Sequence, residues 1–383
     1  MGKPFLDFYS SRKIIPVRQD ISDLDLHFQK RSALYRHLGM PPAVFKERRV
    51  LEFGPGSGDD AVHTSTLNPA LYVLVDGNPY SVNAVREKID KGAIVADKLE
   101  CIESEIFNFS DDRLFDVVTC EGVVPGQENT ADFLRHISSF VDVDGIVMLT
   151  THSPTSLLAE ICRRMIKPLF AKAYPNPEEE LKRLVEFFTP DLDSLQGMTR
   201  IYEDWVLDTI VHPWKREVVF TIPDAIDALD ENFDALGTSP SFSQDWRWYK
   251  AVPQDTLGVN GHVRAEYNKW SAYFLDYRVE PGKALDFCSK TLEESCADIH
   301  NLHIDIWEAD NIGALPVFLG KLSDVADTIA TDMAPTAVSI GDYIDGMQGL
   351  INGNFGADFG NFRPWFGRGM QYISLMRRPL KTG

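Results

Sequence analysis

Residues 50–58 read Val-Leu-Glu-Phe-Gly-Pro-Gly-Ser-Gly, a pattern that predicts a strand followed by a glycine turn. The apolar first half predicts a buried strand, and the three glycines predict a tight turn. Residues 59–67 can form a helix directly behind that turn. Glycines let a backbone turn sharply and come close to a ligand, and the start of a helix offers unpaired amide hydrogens. The stretch therefore predicts a nucleotide-type binding site.

The spacing of the glycines separates two classes of cofactor. The dinucleotide fingerprint is Gly-x-Gly-x-x-Gly, whereas this turn reads Gly-x-Gly-x-Gly, and Asp59 occupies the sixth position of the fingerprint. The acid Glu52 precedes the turn. An acidic residue at this place repels a pyrophosphate and attracts a positively charged ligand. The pattern therefore disfavours NAD.

A second strand is predicted over residues 71–75, Leu-Tyr-Val-Leu-Val, and it ends at Asp76. Gly77 and Asn78 follow. A carboxylate at the tip of a second strand is well placed to accept hydrogen bonds from the two hydroxyls of a ribose. An Asp before Gly is also a common way to begin a turn, so two interpretations of Asp76 are open.

Further apolar runs continue a strand–helix alternation, which is typical of a parallel sheet covered by helices on both faces. Residues 115–122 read Phe-Asp-Val-Val-Thr-Cys-Glu-Gly, and residues 142–150 give a turn at Gly145 followed by Ile-Val-Met-Leu-Thr. The remaining predicted strands cover residues 99–106, 233–237 and 370–376.

On these residues the chain resembles the class I S-adenosylmethionine (SAM) dependent methyltransferases of the bacterial small-molecule type. The resemblance rests on residues 51–58, on Asp76, and on the runs at 115–122 and 142–150. It implies an α/β fold with a Rossmann-like seven-stranded sheet, an N-terminal helical cap and a largely helical insertion before the last strand. The expected parts are the cap at 1–48, the SAM-binding core at 49–251, the insertion or substrate cap at 252–360, and the C-terminal strand returning to the core sheet at 361–383.

The resemblance implies SAM as the cofactor and S-adenosylhomocysteine (SAH) as the product. SAM carries a sulfonium and an ammonium but no phosphate, which suits an acid beside the glycine turn. Ile106 is expected to lie on the adenine ring, beside Ser104 and Glu105, which replace the family's Asp. The expected cofactor contacts are Glu52, Gly54, Gly56, Gly58, Asp76, Gly77, Asn78, Glu105, Ile106 and Glu121. The residues of the cap that can reach the methionine carboxylate are Tyr9, Arg18, Gln19 and Arg31.

Two histidines are candidates for a general base. His152 directly follows the fifth strand, at the sheet edge where open α/β folds place ligands. Such a histidine can take the proton of a hydroxyl as the methyl group transfers, or it can simply bond to backbone. His212, before Pro213 and Trp214, is the second candidate. Trp246, Trp248 and Tyr249 are candidates for the acceptor pocket, although such a cluster can equally join a cap to a core.

Composition limits the partners. With 38 basic and 57 acidic residues the formal net charge is −19, which argues against a nucleic acid. The five cysteines are scattered and include no Cys-x-x-Cys pair, so we expect neither a disulfide framework nor a zinc site, and no cluster of metal ligands is visible. No signal peptide or membrane span is apparent, so we expect a cytoplasmic protein without a membrane partner. The sequence does not indicate an oligomeric state.

The sequence therefore predicts an enzyme, a SAM-dependent methyltransferase that moves a methyl group to a small molecule by in-line displacement. A hydroxyl oxygen is the favoured acceptor atom, with a histidine as general base. One alternative is a catalytically silent protein with the SAM-binding fold, which uses its acidic, aromatic-rich second half as an interaction surface. The other, less favoured, is an NAD-linked oxidoreductase.

Overall fold

A computed structural model describes residues 15, 18–250, 258–282 and 284–379. Within these ranges seven strands form one sheet, in the order β3-β2-β1-β4-β5-β7-β6. Strands β1 to β5 are parallel, and β7 runs antiparallel to both β5 and β6. This confirms the predicted seven-stranded Rossmann-like sheet. The strands are β1 (Arg49–Phe53), β2 (Leu71–Asp76), β3 (Lys98–Glu103), β4 (Phe115–Cys120), β5 (Val141–Thr151), β6 (Phe233–Ser239) and β7 (Gln371–Arg377).

Helices flank the sheet and fill the segments on either side of β6. The largely helical insertion predicted before the last strand is present between β6 and β7. The helices are α1 (Leu24–His37), α2 (Asp59–Thr66), α3 (Pro79–Asp90), α4 (Thr130–Ser138), α5 (Pro154–Arg164), α6 (Lys167–Ala173), α7 (Pro177–Ser194), α8 (Tyr202–Trp205), α9 (Ile222–Leu229), α10 (Gly258–Trp270), α11 (Ser289–Glu308), α12 (Leu315–Ile329) and α13 (Ala334–Ile351).

The order of the strands creates a crevice at the carboxyl ends of β1 and β4. From β1 the chain moves outward to β2 and β3, and then returns to the other side of β1 to form β4. The connection after β1 and the connection after β4 run to opposite sides of the sheet, so a gap stays open between the ends of these two strands. Open α/β sheets bind ligands at such a point. The glycine turn follows β1 and Glu121 follows β4, so both lie at this crevice.

The chain divides into two compact units. Unit 1 holds the described residues up to Thr151, residues 220–267 and those from Met370 onward, and unit 2 holds residues 152–219 and 268–369. All seven strands belong to unit 1, and unit 2 is helical. These boundaries differ from those expected from the sequence, because residues 152–219 share one hydrophobic core with residues 268–369.

A buried ion-pair triad joins the two segments of unit 2. Asp191 on α7 and Arg163 on α5 are both 0% exposed, and Arg163 Nε donates to Asp191 Oδ1 at 3.0 Å. Arg363, from the second segment, donates to Asp191 Oδ2 at 2.5 Å. Removing one member of a buried pair leaves an uncompensated charge, so each member depends on the others.

The C-terminal end of α1 packs directly on the sheet edge of unit 1. Gly237 in β6 makes this possible, since a Cβ atom there would lie 2.6 Å from the carbonyl oxygen of His37. The hydroxyl of Ser374 in β7 donates to the carbonyl oxygen of Leu38 at 2.6 Å. At the other end, the Asp23 side chain caps the helix by accepting from the amide of Leu26 at 2.9 Å. Helix α1 lies in the described part of the segment expected to form the N-terminal cap, residues 1–48, and it carries Arg31.

We expect Gly237→Ala to destabilise the protein by about 1–3 kcal/mol, because the new methyl group would force the backbone of α1 away from β6. Denaturant unfolding measures the change. Gly320→Ala is the control, since Gly320 lies in α12 and a Cβ atom there would meet nothing within 4 Å. That variant should be as stable as the parent or up to about 1 kcal/mol more stable, since Ala is the better helix former. Equal stability of Gly237→Ala and the parent would contradict this account.

Candidate functional site

The glycine turn after β1 adopts a backbone conformation that side chains disfavour. Gly54, Gly56 and Gly58 have φ angles of 69°, 55° and 76°, in the left-handed region. A Cβ atom at Gly54 would lie 2.5 Å from Val123 Cγ2, so the turn contacts the loop that follows β4. A Cβ atom at Gly56 would meet nothing within 4 Å. The turn is therefore closed at Gly54 and open at Gly56, where a ligand can approach bare backbone.

Asp76 fixes the position of this turn. Its Oδ2 accepts from the amide of Gly56 at 3.2 Å, and its Oδ1 accepts from the amide of Asn78 at 2.8 Å. Burial raises the pKa of Asp76 to about 6, and the two backbone donors oppose this rise. The carboxylate keeps lone pairs for further donors. Gly77 lies between these partners, and the Asn78 side chain caps α3 by accepting from the amide of Tyr80 at 3.0 Å.

The end of β3 lies beside Asp76. The amide of Ser104 donates to the carbonyl oxygen of Asp76 at 3.0 Å, which brings the next two residues to the same sheet edge. Glu105 Oε2 accepts from the Asn108 side chain at 2.8 Å. Ile106 is part-buried, and its carbonyl oxygen lies 2.9 Å from the Nε2 of His136, which donates to it. Glu105 and Ile106, which are predicted to contact adenine, thus lie at the same sheet edge as Asp76, which is predicted to contact the ribose.

A second group of charged side chains lies at the crevice, and we call it the carboxyl cluster: Glu52, Asp60 and Glu121 around Arg31. Arg31 is 7% exposed and donates to both carboxylate oxygens of Glu121, at 2.8 and 2.5 Å. Its Nη1 lies 3.5 Å from Asp60 Oδ2. Burial alone would lower the pKa of Arg31, but the charges of Asp60 and Glu121 outweigh burial and raise it well above its ordinary value.

Glu52 is the unusual member of the carboxyl cluster. The hydroxyl of Tyr72 in β2 donates to Glu52 Oε2. Burial raises the pKa of Glu52 from 4.5 to about 8, with the charges of Glu121 and Asp60 acting in the same direction. The hydrogen bond from Tyr72 and the charge of Arg31 oppose this rise. Glu52 is therefore mostly protonated at neutral pH.

The start of α2 carries its own carboxylates. Gly58 is the N-cap, and the first turn contains Asp59 and Asp60. Asp59 accepts from the Ser57 hydroxyl at 2.5 Å and pairs with Lys88 at 3.0 Å. Because the positive end of the helix dipole is already occupied by negative side chains, a pyrophosphate at this place would be repelled. This agrees with the spacing argument against NAD.

The residues proposed from the cap are spread over several places. The backbone amide of Gln19 donates to Asp59 at 3.0 Å, and Arg18 is exposed. Tyr9 lies outside the described residues. Arg31 pairs with two members of the carboxyl cluster, and the side-chain amide of Gln19 reaches Asp60 Oδ1 at 3.5 Å. Asp60, Tyr72 and Tyr35, whose hydroxyl accepts from Arg31 at 3.2 Å, were not predicted. Signals for them existed in the sequence, since Asp60 follows the glycine motif and Tyr35 is four residues from Arg31 on a helix.

The candidate bases belong to unit 2, whereas the glycine turn belongs to unit 1. His152 is part-buried, its Nδ1 lies 3.3 Å from the carbonyl oxygen of Val218, and burial lowers its pKa to about 4. His212 is buried, and its carbonyl oxygen accepts from Arg164 at 2.8 Å. Trp246, Trp248 and Tyr249 lie at the surface of unit 1, with 91%, 64% and 72% of their area exposed.

In the described part of the chain, no group of three or more His, Cys, Asp or Glu side chains is arranged to hold a metal ion. In the same residues, no helix combines the length and the apolar character needed to cross a membrane.

Comparison with known proteins finds similarity for the segment that holds this site. Residues 26–194 match the family model described as a methyltransferase domain. The mitochondrial ubiquinone biosynthesis O-methyltransferase of Schizosaccharomyces pombe is 28% identical over 120 residues, which are 30% of this chain and 43% of that protein. The chain thus spans less than half the length of this relative.

Among solved structures, PKMT2 from Rickettsia typhi has a TM-score of 0.41 at 15% identity and covers 63% of this chain and 49% of its own. The [4+2]-cyclase SpnF has a TM-score of 0.37 at 10% identity and covers 95% of this chain and 84% of its own. Both scores are below the level that identifies a shared fold.

The raised pKa of Glu52 predicts a pH dependence of stability. Between pH 4.5 and about 8 the folded protein keeps a proton on Glu52 that the unfolded chain has lost, so stability falls as the pH rises. The slope from this residue is at most about 1.4 kcal/mol per pH unit. Glu52→Gln should therefore have little effect at pH 4.5 and should stabilise the protein at pH 8.

Denaturant unfolding between pH 4.5 and 8.5 measures this effect. Asp76 contributes a slope of the same sign, but only up to about pH 6, so the range from pH 6.5 to 8 isolates Glu52. Glu87→Gln is the matched control, because Glu87 is 70% exposed in its pair with Lys91 and its removal should leave the pH profile unchanged. Parallel pH profiles for Glu52→Gln and the parent would show that Glu52 is ionised normally.

Proposed function

We propose that this chain binds SAM at the glycine turn and transfers its methyl group to a small-molecule acceptor. The match of residues 26–194 to the family model described as a methyltransferase domain supports this proposal. The observation that carries the proposal is the hydrogen bond between Gly56 and Asp76. It couples a turn that is open to a ligand with a carboxylate that can accept from a ribose.

The residues around the turn fit the chemical groups of SAM. Asp76 would hold the ribose hydroxyls, and Glu105 and Ile106 would lie beside the adenine. The carboxyl cluster would receive the amino-acid end, with Arg31 facing the methionine carboxylate and Glu121 the ammonium. Three carboxyl groups around one guanidinium suit a ligand that carries two positive groups and one negative group.

SAM supplies an already activated methyl group when it is bound, so the chain's main tasks are alignment and exclusion of water. Alignment alone can supply roughly 7 kcal/mol of a barrier. The closed contact between Gly54 and Val123, and the buried polar groups under α1, favour a fixed and poorly hydrated site. The name of the O-methyltransferase relative supports an oxygen as the acceptor atom.

His152 is the proposed general base. A backbone carbonyl can only accept, so the Nδ1–H of His152 donates to Val218, and Nε2 keeps the lone pair that can take a proton. The lowered pKa leaves the ring neutral at physiological pH, and a neutral imidazole can act as a base. His212 is the second proposal for this role. Trp246, Trp248 and Tyr249 are proposed to contact the acceptor through their exposed rings.

We expect Asp76→Ala to weaken SAH binding by about 10–100-fold, because a ligand hydroxyl loses a charge-assisted hydrogen bond. It should weaken 5′-methylthioadenosine, which lacks the amino-acid end, by the same factor. Arg31→Gln should weaken SAH but leave 5′-methylthioadenosine unchanged. Isothermal titration calorimetry measures all four effects.

The control for this experiment is Asp97→Ala, which removes an exposed carboxylate and should bind both ligands like the parent. If SAH binds to Asp76→Ala and to Gly56→Val as tightly as it binds to the parent protein, the ligand does not occupy the glycine turn. If it binds to neither variant nor to the parent, the proposal of a SAM site fails.

A base at His152 predicts that His152→Ala lowers kcat by about 10²–10⁴-fold and leaves the affinity for SAH unchanged. With a base of pKa about 4, the activity of the parent should not depend on protonation of this residue above about pH 5. Transfer of labelled methyl groups to a panel of phenols and sugars measures the rate. His37→Ala, which removes an exposed histidine, is the control. An unchanged kcat in His152→Ala would show that His152 is not the base, and would leave His212 or the acceptor itself for that role. If the parent protein forms no methylated product at all, the result would favour a catalytically silent binding protein.

A further inference from the structure

The carboxyl cluster has more negative than positive groups. Glu52, Asp60 and Glu121 are three acids around Arg31, which pairs with Asp60 and Glu121, and His27 Nε2 lies 3.8 Å from Asp60 Oδ1. Full ionisation of the three acids would give two more negative charges than Arg31 can balance. Bringing like charges together in a buried place is unfavourable. The structure relieves this by keeping the proton on Glu52, whose pKa is about 8. The cluster can therefore gain one negative charge when a cation arrives.

The titratable and charged groups that face Glu52 come from four parts of the chain. Tyr72 on β2 bonds to it, Arg31 and Tyr35 lie on α1, and Asp60 lies on α2. Cys120, whose thiol has a pKa raised by burial, ends β4, and Glu121 follows it. Burial raises the pKa of Tyr35 to about 12 and that of Tyr72 well above its ordinary value, so both hydroxyls stay neutral. Nearby on β7, burial also raises the pKa of Tyr372. Among Glu52 and these three tyrosines, Glu52 is the group that can change its charge near neutral pH.

Glu52 is also placed to sense the charge of a bound ligand. It lies in β1, two residues before Gly54, and so at the base of the glycine turn. SAM and SAH share every group except one methyl, and they differ by one positive charge at sulfur. A site that discriminates between them must therefore respond to that charge or to the volume of the methyl group.

We propose that Glu52, held by Tyr72 at the base of the glycine turn, is the positioning residue by which this site distinguishes the sulfonium methyl donor from the spent thioether. The proposal rests on the proposed function, since it places SAM at the turn. Binding of the sulfonium favours ionised Glu52, which releases its proton to solvent. In the transfer step the acceptor oxygen forms a bond to the methyl carbon as the carbon–sulfur bond breaks, and the bonding pair stays on sulfur. The acceptor's hydroxyl proton is released, and Glu52 takes up one proton as the positive charge disappears.

This cycle makes the donor and the product compete unequally. The ionised carboxylate attracts the sulfonium, whereas beside the neutral thioether it regains its proton and no longer holds the ligand. The preference for SAM over SAH should therefore grow as the pH approaches the pKa of free Glu52 from below, because ionising the residue then costs less. Reprotonation of Glu52 thus also favours the release of SAH.

Calorimetric titration of SAM and SAH at pH 5.5, 6.5 and 7.5 tests the proposal, with each pH measured in two buffers of different ionisation enthalpy so that released protons are counted. We expect SAM to release up to one proton more than SAH, and the ratio of the SAH and SAM dissociation constants to rise about tenfold from pH 5.5 to 7.5. Glu52→Gln should abolish both effects. This variant also corrects for protons carried by the ligands' α-amino groups, whose pKa lies near the upper end of the range.

Two matched variants separate the proposal from a purely structural role of Glu52. Asp60→Asn removes a neighbouring charge but keeps Glu52, so the pH dependence should persist with its midpoint at lower pH. Tyr72→Phe removes the hydrogen bond that favours ionised Glu52, so the midpoint should move to higher pH. These shifts keep the test valid if Glu52→Gln does not fold.

Equal proton release by SAM and SAH, together with a ratio that does not change with pH, would overturn the proposal while leaving the SAM site intact. If neither ligand binds the parent protein, the proposed function itself fails, and this inference fails with it.

Discussion

The hydrogen bond from the amide of Gly56 to the carboxylate of Asp76 is the contact on which the candidate site depends. It joins the turn after β1 to the end of β2 and sets the glycine backbone at the crevice. The φ angle of Gly56 is 55°, a value that an L side chain adopts only with strain. Because the amide of Ser104 bonds to the same residue, the end of β3 is placed by Asp76 as well. Asp76 thus joins three strand ends, the turn after β1 through its carboxylate and the end of β3 through its backbone carbonyl oxygen.

Charge, rather than shape, best explains which ligand this crevice suits. The first turn of α2 contains Asp59 and Asp60, so the place where many nucleotide sites hold a phosphate is already negative. Glu121 adds to that field, and Arg31 balances part of it. A site of this kind selects a ligand with positive groups near its backbone turn. The acidic balance of the whole chain, with a net charge of −19, acts in the same direction at longer range.

The sequence predicted the parts of the structure that follow from local pattern. The strand before Gly54, the acid at position 76 and the last strand near residues 370–376 are all found, because apolar runs and glycine spacing are short-range signals. The Arg31–Glu121 pair joins residues 90 positions apart, and no local pattern reveals such a contact.

The packing of unit 2 was not predicted for the same reason. Its core combines residues 152–219 with residues 268–369, and a hydrophobic run does not show which other run it will meet. Gly346 and Gly349 lie inside α13, where a Cβ atom would come within 2.8 Å of the Phe359 ring and 2.7 Å of Ala357. Glycine usually marks a turn, but in this helix the absence of a side chain allows close packing instead.

At Glu52 the stability of the fold and the ability of a side chain to change its charge favour different residues. A buried acid with a raised pKa lowers the stability of the fold at every pH above its unfolded pKa, and a neutral Gln would avoid that loss. Natural proteins commonly accept such a loss where function needs it. The hydrogen bond from Tyr72 and the charge of Arg31 limit the loss, because they oppose the effect of burial and keep the pKa of Glu52 at about 8. A carboxyl group held so close to its own titration point changes charge when a single charge on a ligand changes, and neither a fully ionised acid nor an amide can do this.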